Sequence, residues 1–104
     1  MLVEVAYRVA EPHVENFILA MQDVREERRR DGAVTWGLYQ DLGDPTRFVE
    51  TFVVESWLEH LRQHERVTKA DRDLQARVEQ LLVRPATVTH FVNASAVRRT
   101  DGKE

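Results

Sequence analysis

Two histidines four residues apart, His60 and His64, are the side chains whose spacing most directly suggests chemistry. At helical period His64 shares a face with Trp57, Leu61 and Thr68. An imidazole there can accept a proton near neutral pH or hydrogen-bond a phenolate or enolate. The structural alternative is a histidine at the core edge, satisfied by a neighbour. A metal on the pair is not expected. The zinc-protease pattern puts glutamate directly after the first histidine, where this chain has Leu61, and no third ligand is evident. Trp36, Tyr39 and Trp57 suit the walls of a pocket for a flat aromatic ligand, or equally the filling of a core or subunit interface. Arg8 and Arg47 could take an acidic group of such a ligand or simply reach solvent.

Other chemistries find no support. Cysteine is absent, which removes disulfides, thiolate metal sites and cysteine nucleophiles together. No serine stands in a nucleophile-elbow context. Gly32, Gly37, Gly43 and Gly102 are too dispersed for a phosphate loop or a dinucleotide fingerprint, so no cofactor is expected. A net charge of -3 offers no global attraction to nucleic acid or an anionic membrane. No apolar run approaches the roughly 20 residues that span a bilayer. The start, MLVEVAYRV, lacks the basic and small-residue features of a signal peptide. The expected setting is a bacterial-type cytoplasm.

Placing these side chains requires a scaffold, and 104 residues supply one domain. Val3, Val5, Tyr7 and Val9 alternate along a first strand. After Pro12, the residues Val14, Phe17, Ile18, Met21 and Val24 recur at helical spacing, predicting a helix over about 13–30 that stops at Gly32. The charge run Arg25 to Arg30 reads as its solvated end. A second strand over 33–41 carries Val34, Trp36 and Leu38 on one face. Turn chemistry follows at 42–46, then a third strand with Phe48, Phe52 and Val54 on one side and Val49 and Val53 on the other. Ser56 can cap a helical region that bends or breaks near 66–70 and closes at Pro85. Residues 87–93 form the last strand, and residues 96–104 a polar, frayed tail beyond a 1–95 domain.

The order β-α-β-β-α-β predicts an α+β, ferredoxin-like antiparallel sheet with both helices on one face. The opposite face keeps Val49 and Val53, with Tyr39 or Phe91 as candidates to join them. An uncovered apolar face on a small domain marks a partner interface, and a two-fold homodimer is its simplest cover.

The stretch VVESWLEHLRQHE, residues 53–65, resembles the third strand and following helix of the dimeric α+β barrel proteins grouped with antibiotic biosynthesis monooxygenases. The matching positions are Glu55, Trp57 and His64. Residues 28–75 are similar to the soluble C-terminal segment that follows the membrane helices of some major-facilitator-type exporters. The resemblance implies a homodimer with a small organic ligand, aromatic molecules among the candidates, in a pocket between sheet and helices. It implies His64 as the pocket-facing catalytic group and adds Glu55 to Trp57; with Trp36, Tyr39 and His60 from the residues themselves, these are the ligand-binding candidates. It further implies cofactor-independent monooxygenase chemistry on phenols; the alternative is a non-catalytic binding or dimerisation module like the exporter appendage. Heme-degrading relatives use a first-strand asparagine, which LVEVAYRV lacks.

Overall fold

In the computed structural model, residues 1–56, 58, 61, 62 and 67–95 are described. The elements run β1 (Leu2–Arg8), a short 3-10 turn (Glu11–His13), α1 (Val14–Arg30), β2 (Thr35–Asp41), β3 (Asp44–Val53), α2 (Lys69–Glu79) and β4 (Thr87–Phe91). The four strands form one sheet in the order β2-β3-β1-β4, every neighbouring pair antiparallel. This is the ferredoxin-like α+β arrangement that the periodicities predict. The expected tail at 96–104 lies outside the described residues.

Alternation in β1 turns Val3, Val5 and Tyr7 to the helices, at 1%, 4% and 6% exposure. Directly opposite them on β3 stand Phe52, Glu50 and Phe48. Strand period two therefore puts a glutamate on the core face between two phenylalanines. On α1 the residues Phe17, Ala20, Met21 and Val24 pack against this face. Arg28 is the next position of that stripe, four residues beyond Val24. The helix ends in a Schellman motif: the Ala33 N–H donates to the Arg28 carbonyl at 2.9 Å and the Gly32 N–H to the Arg29 carbonyl at 3.2 Å. Gly32 takes φ +100°, a conformation in which a Cβ is strained.

The helical region after Ser56 does break where expected. Thr68 is extended and caps α2 reciprocally with Asp71: its hydroxyl accepts from the Asp71 N–H at 3.1 Å, and the Asp71 carboxylate accepts from the Thr68 N–H at 3.2 Å. The helix stops at Glu79, well short of Pro85. The reason is that the next backbone groups are used by the end of β1, Ala10 donating to the Leu81 carbonyl and Val83 to the Arg8 carbonyl. The second turn is also tighter than predicted. Only Leu42 and Gly43 connect the strands, and Asp44, Pro45 and Thr46 enter β3, absorbed by a register shift at Gln40 and Asp41.

Among the described residues no helix covers the sheet's other face. Register places Leu2, Val53 and Phe91 in one row across β3, β1 and β4, with Tyr39 opposite Val49. Leu2, Tyr39 and Phe91 are exposed there, and every residue of β4 is exposed.

Candidate functional site

The Glu50 side chain has no solvent exposure, so its charge must be met inside the protein. Four hydrogen bonds converge on it. The Tyr7 hydroxyl donates to Oε1 at 2.7 Å, Arg28 Nε donates to Oε2 at 2.8 Å and Nη2 to Oε1 at 3.2 Å, and the Trp36 indole N–H donates to Oε2 at 2.9 Å. Each carboxylate oxygen thus accepts two donors, the arrangement that suits an ionised carboxylate. Aromatic rings fix the donors in turn. Phe17 meets the Tyr7 ring edge-on at 5.1 Å, and the Arg28 guanidinium lies 4.7 Å from the centre of the Phe52 ring.

Burial, then the Glu50 charge, pushes the Tyr7 phenol well above its ordinary range. Burial opposes the charge on Arg28, but the hydrogen bonds and charge of Glu50 outweigh it and raise Arg28 further. Neither group exchanges a proton at neutral pH. The only proton on Tyr7 is committed to Glu50, so its oxygen offers a neighbour lone pairs. Arg28 Nη1 takes no part in the Glu50 pair, and the side chain keeps 27% of its exposure.

Tyr7 and Arg28 line a cleft of about 290 Å³ between the two helices and the β1–β4 side of the sheet. This is the size of a small ligand site. Its walls are apolar, with Val5, Val24, Val78 and Val88 prominent, and Glu27 and Glu79 supply acidic groups. Partial burial raises the Glu27 carboxyl to about 7, helped by the charge and hydrogen bond of Asp71 and opposed by Arg28. Asp71 moves the other way, held down first by the Thr68 backbone N–H. Below neutrality, then, Glu27 carries the proton of the pair, and Asp71 stays ionised with Arg30 at 3.5 Å.

Of the residues singled out from the sequence, Trp36 reaches this site through its indole N–H. Tyr39 lies on the opposite sheet face, its ring folded over Gly37, where a Cβ would sit 2.7 Å from the phenol oxygen. Trp36 and Tyr39 therefore do not share a wall. Glu55 is exposed just past β3. Trp57, His60 and His64 lie outside the described residues. Arg8 pairs with Asp44 and Arg47 with Asp41 near the β2–β3 hairpin, away from the cleft. Glu50, Arg28, Tyr7 and Glu27 were not singled out. The signal for Glu50 was its period-two position between Phe48 and Phe52, and that for Arg28 its place on the apolar stripe of α1.

The family described as transmembrane secretion effector matches residues 1–99. No curated protein matches the chain. Among solved structures, a Nitrosomonas europaea protein assigned as an antibiotic biosynthesis monooxygenase superposes with a TM-score of 0.74 at 19% identity, covering 89% of this chain and 97% of its own. A Bordetella bronchiseptica protein of the same assignment gives 0.75 at 16%, covering 89% and 96%. A Mycobacterium tuberculosis protein gives 0.63 at 20%, covering 89% and 97%. At these identities the likeness establishes the fold. Among the described residues no helix is long and apolar enough to cross a membrane.

Truncating Glu50 to Ala leaves Arg28 without its counter-ion, and should cost roughly 3–5 kcal/mol in urea unfolding; a loss under about 1 kcal/mol would show that the cluster is not structural. Glu27 gives a second test. Its folded-state affinity for the proton exceeds its ordinary value of 4.5, so the associated stability is fully present below that value and is lost as pH rises through about 7. Thermal midpoints should fall between about pH 5 and pH 8 in the wild type, and fall less in Glu27→Gln; equal slopes would contradict the assignment.

Proposed function

The chain belongs to the transmembrane secretion effector family, and from that premise we propose that it is a homodimeric binding protein for a small, aromatic organic molecule held in the cleft beneath α1 and α2. The observation that carries this reading is the preorganised floor: the buried Glu50 carboxylate fixes Tyr7 and Arg28 before any ligand arrives, and Arg28 Nη1 takes no part in that pair. A fixed donor such as the Arg28 guanidinium favours an oxygen on which negative charge develops. Trp36 donates to the same carboxylate and so helps to fix it beneath the cleft.

The catalytic form of this reading is a monooxygenase that needs no cofactor, supported by the assignments of the fold neighbours. A phenol would lose its proton, and the phenolate would reduce oxygen itself. One oxygen atom enters the ring to give a quinone, and the other leaves as water with the two hydrogens released. His64 is the sequence's candidate for the proton acceptor, with Trp57, His60 and Glu55 as neighbours of the same segment. The second reading, a non-catalytic binding module connected with export, is favoured by the family match itself.

Saturable quenching of Trp36 fluorescence by a phenol, measured in Trp57→Phe, is the expected result. Arg28→Lys keeps the charge but loses the planar fork, and should weaken binding about tenfold, equivalent to about 1.4 kcal/mol. Absence of quenching would contradict the binding reading. Oxygen uptake with the bound phenol separates the monooxygenase from the non-catalytic module.

The dimer uses the bare sheet face. A standard interface buries about 1,600 Å² in total, and the apolar row of Leu2, Val53 and Phe91 with Tyr39 and Val49 provides its centre. Light scattering should give twice the monomer mass for the wild type and the monomer mass for Val53→Asp. A folded wild-type monomer at micromolar concentration would exclude this assembly.

A further inference from the structure

We propose that Glu27 is the catalytic base of the cleft, accepting the hydroxyl proton of a phenol or enol bound between α1 and α2, and that the ligand enters as the neutral acid. The inference rests on the ligand-binding reading above, puts Glu27 in place of His64 as the proton acceptor, and adds the ionisation state of the ligand.

Three observations meet at this carboxyl. First, Glu27 lines the cleft beside its neighbour Arg28, with Tyr7 on the floor and Glu79 on the α2 side. Second, the positive charge of Arg28 is already matched by Glu50 at 2.8 Å, and Glu79 adds a negative charge to the wall. A ligand arriving as an anion would therefore meet no net positive charge. A neutral hydroxyl faces no such penalty, and it can pass its proton to Glu27 without altering the total charge of the cleft. In that step the ligand's O–H bond breaks, an O–H bond forms on the Glu27 carboxyl, and the electron pair stays on the ligand oxygen. Arg28 Nη1, which takes no part in the Glu50 pair, is the donor proposed for that oxyanion, since the Tyr7 proton belongs to Glu50.

Third, partial burial makes Glu27 a willing acceptor near neutrality, and the acidic groups facing it add to that. Asp71 of α2 hydrogen-bonds it and repels its charge, and Asp31 after α1 adds to the repulsion. Arg28 alone opposes them among the groups that set its affinity, while Arg30 is turned to Asp71. A base whose affinity for the proton lies near the working pH is both ionised often enough to act and strong enough to take the proton. A lone exposed glutamate would be too weak.

The test uses p-hydroxyacetophenone, a phenol whose anion has its own absorption band, at a pH where the free probe is mainly neutral. Bound to wild type it should show the phenolate band, at saturation defined by Trp36 quenching. Glu27→Gln keeps the shape and a hydrogen bond to Asp71, so it should bind within a few-fold yet lose the band. His64→Ala should retain the band. The proposal is overturned if Glu27→Gln keeps the full phenolate band, if the band vanishes in His64→Ala, or if the wild type binds only the neutral phenol. Those three results leave the binding reading standing. Absence of saturable quenching in every variant and the wild type would instead bring down the binding reading, and this inference with it.

Discussion

A carboxylate without solvent at the centre of a sheet cannot stand alone, and much of this molecule can be understood as the answer to Glu50. Taking such a charge out of water costs several kcal/mol unless each oxygen is met by donors. Those donors come from three different elements: Tyr7 from β1, Arg28 from α1 and Trp36 from β2. The cluster therefore ties the register of three strands to the position of one helix. A one-residue slip of β3 against β1 would turn Glu50 to the bare face and bring Val49 or Thr51 inward. The cost of the buried charge thereby becomes a device for specificity, because only one register satisfies it.

Much of this was legible in the sequence. The alternation of Val3, Val5, Tyr7 and Val9, the stripe from Phe17 to Val24 and the Gly32 stop each predicted the element found. The site was less legible, and the reason is physical. Attention to histidines and indoles follows residue types that titrate or stack, whereas Glu50 and Arg28 became unusual only through burial. Charged residues are seldom buried, so a glutamate between Phe48 and Phe52 reads as an interruption in a strand instead of as its functional centre. The near-neutral affinity of Glu27 arises first from its burial and then, against Arg28, from Asp71, more than forty positions away in sequence, and no local pattern carries either. Tyr39 illustrates the converse: its aromatic type suggested a pocket wall, but parity along β2 puts it on the face opposite Trp36.

The two faces of the sheet thus divide the labour in the proposed account. The helix-covered face buys a rigid, pre-ordered floor for a ligand, and the bare face offers a second copy an apolar surface. Rigidity matters because a floor already satisfied by Glu50 has little reorganisation left when a ligand oxygen arrives. The family match and the shared fold agree on the scaffold while leaving the chemistry to the side chains, as folds in general do.

The most direct measurement is a crystal structure of the protein soaked with a phenol. The account predicts ligand density between α1 and α2, its oxygen within hydrogen-bond reach of Arg28 and Glu27, with the four hydrogen bonds to Glu50 unchanged. Density confined to the bare face against Tyr39, or a cleft filled by side chains with Arg28 turned away from Glu50, would contradict it.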